Sequence, residues 1–458
     1  MEFQKIKLHR SEKNGAAVTQ ITLDDDYNVP DYRQDIVKVI KERGELRFDE
    51  VKAMEGAAWI KGSLVFKVLY RSDKQEGKIS CLRGEIPFQE RLNMDGLSEY
   101  DAVHATGDME DLTIGVINSR KLNVRAVIVL TASSEKEVDE ELTCELSDGS
   151  SYEQNIVEKE ALKLLVVRRD ICRQKSEAVL PSSKPNIREI LWQSMQLRNV
   201  ESRLVEGKIR LSGEILVSIL YNDEEEGEHL SWYETTVPLD AQAECGVMED
   251  DCIWQVQMVP LTMELEVKPD YDGEERILVM ELALDTHIRI WKEEKIRLLT
   301  DLYSLQKEVK PVFRECPLER LLVKNAAKCR MTEQMELKED KEKVLQICSC
   351  EGKVLLERQE IKTDGVLAEG TVEVNILYIT PDDHMPVGAV QEIYPFSQLV
   401  EIPEMSAQAK VELDASLEQL SAVMLDQEHV EIRAAVRLDL IAFVQEVIQN
   451  IEEATESE

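Results

Sequence analysis

Three stretches of the chain alternate apolar and polar residues with a period of two: Gly62-Ser-Leu-Val-Phe-Lys-Val-Leu-Tyr70, Gly213-Glu-Ile-Leu-Val-Ser-Ile-Leu-Tyr221 and Gly370-Thr-Val-Glu-Val-Asn-Ile-Leu-Tyr378. Side chains two apart leave a strand on the same side. Leu64, Phe66, Val68 and Tyr70 therefore form one row, as do Ile215, Val217, Ile219 and Tyr221, and Val372, Val374, Ile376 and Tyr378. Each row predicts a buried face. The residues between them, among them Ser63, Lys67, Glu214, Ser218, Thr371, Glu373 and Asn375, predict the half-solvated outer face of an antiparallel sheet.

The rest of the pattern keeps register with these strands. A polar tract follows each tyrosine (Arg71 to Lys78, Asn222 to His229, Thr380 to Pro386) and reads as a hairpin loop. The chain then returns to Pro87, Pro238 and Pro395, each seventeen residues beyond its tyrosine. Proline lacks an amide donor, so all three are expected at a strand end or on an edge strand. A third alternating run starts sixteen residues later, at Val103, Trp254 and Val411, and a fourth at Leu122, Arg276 and Val430. Upstream, Val29-Pro30-Asp31-Tyr32-Arg33-Gln34-Asp35-Ile36 parallels Lys184-Pro185-Asn186-Ile187-Arg188-Glu189-Ile190 and predicts a short helix or turn leading into a strand.

Self-similarity at this spacing predicts a mainly β chain of three tandem antiparallel modules, β-sandwiches or partly open barrels. The modules are placed at residues 1–135, 160–300 and 318–450. The charged stretches 135–160 and 297–318 are read as linkers with one short helix each, and Val444 to Ile451 as a helix or a fraying strand. Gly62, Tyr70, Pro87, Gly213, Tyr221, Pro238, Gly370, Tyr378 and Pro395 are then a structural signature, the tyrosines being core residues with hydrogen-bonded hydroxyls.

These elements resemble the SPOCS domain of clostridial endospore formers, a module associated with spore coat proteins. The resemblance is carried by Pro185-Asn-Ile-Arg-Glu-Ile-Leu191, by the Gly-to-Leu-Tyr strand and by Asn118-Ser-Arg-Lys-Leu-Asn-Val-Arg-Ala126. It implies a role in spore envelope assembly, with partners among other proteins, a coat-basement ATPase included, and a place in the mother-cell cytoplasm at the forespore surface. The related spore morphogenesis protein ends in a LysM module, whereas the third copy here runs directly to Glu458, which argues against glycan binding by that route. The family offers no catalytic residues to carry over.

Composition narrows the reading further. The chain has 458 residues, 91 acidic against 55 basic, and a formal charge of −36. That charge repels phosphate backbones and anionic lipid at long range, so no nucleic-acid partner is expected. No apolar run approaches the ~20 residues of a membrane helix, and Met1 to Arg10 is not a secretory signal, so neither membrane insertion nor export is expected. Nine cysteines spread thinly predict free thiols of a reducing compartment.

Candidate chemistry is sparse. Glu76-Gly77-Lys78-Ile79-Ser80 lacks the first glycine and the hydroxyl of a phosphate-binding loop. Cys348 and Cys350 would share one face of a strand, and Cys245, Cys252 and His229 could meet in space, but none has the spacing of a metal site. Trp192, Trp232, Trp254 and Trp291 all fall in the second copy and read as core filling. No catalytic residue, cofactor or metal is expected, and the chain reads as a non-catalytic scaffold rather than an enzyme. The competing reading is a ligand- or carbohydrate-binding β protein with a pocket in the second module, which carries a three-residue insertion and the tryptophans.

Overall fold

A computed structural model describes residues 1–73, 78–147, 152–224, 229–249, 251–338, 341–406 and 408–457. The first module comprises β1 (Phe3–Asn28), β2 (Ile36–Met54), β3 (Ala57–Ser72), β4 (Ile79–Asn93), β5 (Val103–Asn118) and β6 (Lys121–Leu146). The second comprises β7 (Glu153–Val179), β8 (Ile187–Val205), β9 (Lys208–Asp223), β10 (Leu230–Glu244), β11 (Cys252–Pro269) and β12 (Glu275–Tyr303). The third comprises β13 (Glu308–Glu336), β14 (Gln346–Ile361), β15 (Gly365–Ile379), β16 (Val387–Glu401), β17 (Lys410–Met424) and β18 (His429–Ser457).

Each module folds into two antiparallel three-stranded sheets with one order. The first is β1-β6-β5, β7-β12-β11 or β13-β18-β17, and the second is β2-β3-β4, β8-β9-β10 or β14-β15-β16. The two sheets face each other, with β2 alongside β5 and β1 alongside β4, so the module is a sandwich nearly closed at its corners. The aliphatic rows foreseen from period two fill it: Leu64, Phe66, Val68 and Tyr70 are fully buried in the first core, and the equivalent rows lie in the other two.

The signature residues have physical reasons. Tyr70, Tyr221 and Tyr378 donate their hydroxyls to the carbonyls of Gln34, Pro185 and Glu342, at 3.1, 3.1 and 3.0 Å, tying the central strand to the chain that leads into the module. Gly62 and Gly370 sit where the neighbouring strand bulges inward, so an added Cβ would lie 2.4 Å from the Arg47 carbonyl and 2.3 Å from that of Leu355. Gly213 faces the corresponding irregularity at Arg198 to Glu201. Pro87, Pro238 and Pro395 lie on β4, β10 and β16, the outer strands of their sheets, opposite the residue after the glycine.

Several expectations are corrected. The stretches 135–160 and 297–318 hold no helix among the described residues. They are the far ends of β6, β7, β12 and β13, and Val444 to Ile451 is regular strand within β18. These ends are paired strand, β6 with β1, β7 with β12 and β13 with β18, which satisfies the backbone despite the charged pattern. The parallel between Pro30 and Pro185 shifts by four residues, since Pro185 matches Gln34 as the tyrosine's acceptor: the Pro30 and Pro181 segments are the equivalent turns, closed by Arg33 N–H to the Pro30 carbonyl and Lys184 N–H to the Pro181 carbonyl, both at 2.9 Å. Arg120 and Arg276 reach into them and bond several of their carbonyls. The hairpin tips at 74–77 and 225–228, and with them Glu76 and Gly77, lie outside the described residues.

The three modules close into a ring. The fourth strand of each meets the second strand of the next, β4 with β8, β10 with β14 and β16 with β2, and β6, β12 and β18 touch one another near the centre. Successive head-to-tail contacts whose rotation closes produce this arrangement.

Gly370→Ala is expected to destabilise the third module by about 2 kcal/mol or more, because backbone rather than a flexible side chain occupies the space. Denaturant melts of the variant check this; an unchanged midpoint contradicts the packing described.

Candidate interaction site

The ring axis begins with residues that period two leaves on the wrong side. Leu69, Leu220 and Leu377, each just before its signature tyrosine, point away from the module core and are at most 1% exposed. They meet in one apolar cluster with Ile79, Leu191, Cys348 and Val387. A bulge in β2, β8 and β14 adds Ile40, Leu191 and Cys348 to the same cluster. In the second module the outer face of the central strand therefore runs from solvent at its glycine end, where Glu214 is exposed, to full burial at its tyrosine end, whereas in the first Ser63 is buried too. The bulge also separates the two cysteines expected on one face: Cys348 joins the axis cluster and Cys350 packs against the third core. Burial pushes both thiols up to about 12, so they stay protonated.

Beside this apolar layer three modules share one buried charge cluster. Glu351 Oε1 accepts from Lys41 Nζ at 3.1 Å and from Trp192 Nε1 at 3.0 Å, and its Oε2 accepts from Arg43 at 3.3 Å. Lys41 and Glu351 are nearly inaccessible, and Lys41 also lies 5.3 Å from the centre of the Trp192 ring. Burial alone would raise the Glu351 carboxyl, but Lys41, Arg43 and the indole N–H bring it below the usual range. Lys41, Trp192 and Ser349 occupy equivalent positions, each opposite its axis leucine. Glu351 stands two residues further on, where the other modules carry Arg43 and Ser194, so the complementary set draws on two neighbouring positions of the repeat.

Two further junctions join all three modules. Asn450 is buried, exchanges bonds with the Thr143 backbone at 2.8 Å each way and donates to the Leu299 carbonyl at 3.0 Å. Between the two ends, Arg289 meets Glu412 and lies 4.0 Å from Glu135, while His287 lies 3.3 Å from Glu135. Burial opposes the Glu135 charge, but bonds from His287 and Ser11 and the nearby Arg289 bring its carboxyl down to about 2.

The second-copy tryptophans also serve boundaries. Trp192 sits at the axis, Trp291 packs 5.4 Å from Phe443 of the third module, and Lys324 of the third module covers Trp254 at 4.4 Å. Trp232 lines a cleft of about 430 Å³ between the second and third modules, with Lys184, Tyr233, Glu234, Ser349 and Leu420. This cleft lies between two modules and not within the second, where the competing reading places its pocket. A second concavity at Val205 to Arg210 carries charges already paired, Arg210 with Asp240 and Lys208 with Glu244. Cys245 and Cys252 both enter the second core, and the His229 N–H donates to Asp223. Among the described residues no group of three or more His, Cys, Asp or Glu side chains is placed to hold a metal.

The family model described as SipL, SPOCS domain matches three times, at residues 35–117, 186–268 and 343–425, together more than half of the chain. Each match spans the second to fifth strands of a module and leaves out the long first and sixth strands. No curated protein matches. Among solved structures, the ferric yersiniabactin uptake receptor FyuA from Yersinia pestis is 9% identical over 95% of this chain and 80% of that chain, with a TM-score of 0.11, too low to carry any argument.

Glu351→Ala is expected to cost about 3–5 kcal/mol, because it strands a buried ammonium. Lys41→Met combined with Glu351→Met recovers most of that loss, a non-additivity that a double-mutant cycle by denaturant melts detects. For Glu135 the folded carboxyl lies below its ordinary value of 4.5, so the stability it contributes is complete above that pH and fades as pH falls toward about 2. Glu135→Gln should melt below the parent at neutral pH, with the gap closing across that window; a gap independent of pH rules the linkage out.

Proposed function

The chain belongs to the SipL, SPOCS-domain family, and from that premise we propose that it is a non-catalytic assembly protein of the forming spore envelope, a ring of three β modules that binds other proteins. Membership itself points to a sporulation-related role. The finer reading is supported by where the reactive groups go. The buried acids, bases and amides brought together at Glu351, Glu135 and Asn450 bond across module boundaries, which uses them to hold the ring. Their carboxylates meet cations and donors, and the chemistry they perform is cohesion.

A ring of interlocked modules offers repeated outer surfaces at fixed separations. Linked weak sites gain effective concentration when their spacing is set in advance, without any new contact. The partners we assign are other proteins, coat-basement proteins including an ATPase among them, met in the mother-cell cytoplasm at the forespore surface. The excess of acidic residues favours basic or neutral surfaces over nucleic acid.

Recovery of bound proteins from sporulating cells on the intact chain tests this. Coat-basement proteins should be enriched at least tenfold over a ring-broken Glu351→Ala chain, and a fluorescent fusion should encircle the forespore. Diffuse fluorescence with no enriched coat protein contradicts the proposal.

A further inference from the structure

The three module boundaries are equivalent in the repeat, yet two are closed and one is open. At the first-to-second boundary Arg33 pairs with Glu189 at 3.0 Å, joining the lead-in turn of one module to the second strand of the next. At the third-to-first boundary Glu342 pairs with Lys38 at 3.1 Å, the same connection with its charges reversed. The corresponding residues between the second and third modules are Lys184, Pro185 and Gln346, which cannot form an ion pair. The position that carries Cys81 and Ala389 in the other modules carries the far larger Trp232. Cys81 contacts the Ile190 carbonyl across its boundary at 3.7 Å, whereas Trp232 lies under Lys184, with the ammonium 4.8 Å from the ring centre.

This open boundary is the cleft of about 430 Å³. It holds a second mark of incompleteness: Ser349, one of its lining residues and 5% exposed, keeps a closed-off hydroxyl without a hydrogen-bond partner in the protein. The walls are contributed by β10 and β14, outer strands that each pair with one neighbour, so their free edges offer backbone donors and acceptors to an extended segment. Glu234 stands on the same lining, where burial raises its carboxyl and the nearby Arg198 lowers it.

We propose that the cleft between the second and third modules is a docking site for an extended segment of a partner protein that carries a glutamate or aspartate, whose carboxylate pairs with Lys184 as Glu189 pairs with Arg33. This rests on the protein-binding reading above and names the chemistry of one partner. Trp232 and Tyr233 give the segment an aromatic wall, and the pairing selects Glu or Asp over an amide.

The probe is a fluorescein-labelled peptide with the sequence of residues 187–194, which carries Glu189 in an extended strand, titrated into the intact chain by anisotropy. It should bind, and the same peptide with Glu189→Gln should bind at least tenfold more weakly. Lys184→Ala in the chain should cost a similar factor and Lys184→Arg should restore affinity, both with melting points close to the parent. Absence of binding, equal binding of both peptides, or indifference to Lys184→Ala overturns the proposal, and competition by glutarate at the peptide's own affinity overturns its peptide specificity. Recovery of coat proteins by the Lys184→Ala chain at parental levels sinks this site but leaves the assembly reading standing. Loss of recovery by the parent chain itself sinks that reading instead.

Discussion

The constraint on which the molecule depends is that three sheets must share one axis. Leu69, Leu220 and Leu377 are buried where the three modules meet, outside their own modules' cores. Burial of a leucine side chain is worth about 1.5–3 kcal/mol, so an isolated module would expose several such groups at once. The ring is thus part of the fold of each module. That distinguishes it from a solenoid, in which repeats touch only neighbours and end in caps.

Once the apolar layer brings the modules together, polar groups decide their order. Identical modules could assemble in either sequence around the axis, and hydrophobic contact alone would not distinguish them. Lys41, Trp192 and Glu351 can satisfy each other only with the first, second and third modules in their present places, and Asn450 bonds both other modules from the third. Removing one member of such a set is costly, although the whole set adds little stability over an apolar equivalent. The same divergence left one boundary without its ion pair, and the cleft follows from that asymmetry.

The family match ends at the fifth strand of each module, yet the sandwich needs the long first and sixth strands to complete it. Those strands carry charged residues on their outer positions and diverge among the modules. Their inner positions still converge, with Leu8, Leu142, Ala161, Leu298, Cys316 and Leu318 in one cluster. The strands that build the ring are therefore the ones a sequence pattern describes least well.

The sequence by itself determined the module: three central strands, their glycines, their core tyrosines and their edge prolines, because period two and fixed spacing are local consequences of strand geometry. It could not reveal that the leucine before each tyrosine serves an axis, since one apolar residue on a polar face carries no partner's address. The stretches 135–160 and 297–318 read as linkers for a related reason: charged alternation resembles a solvated connection until a pairing strand stands beside it. Only the tertiary structure decided that Glu351, His287 and Asn450, far apart in the chain and at unrelated points of the repeat, would stand within bonding distance of other modules, because those contacts are set by ring closure and not by any neighbour in sequence.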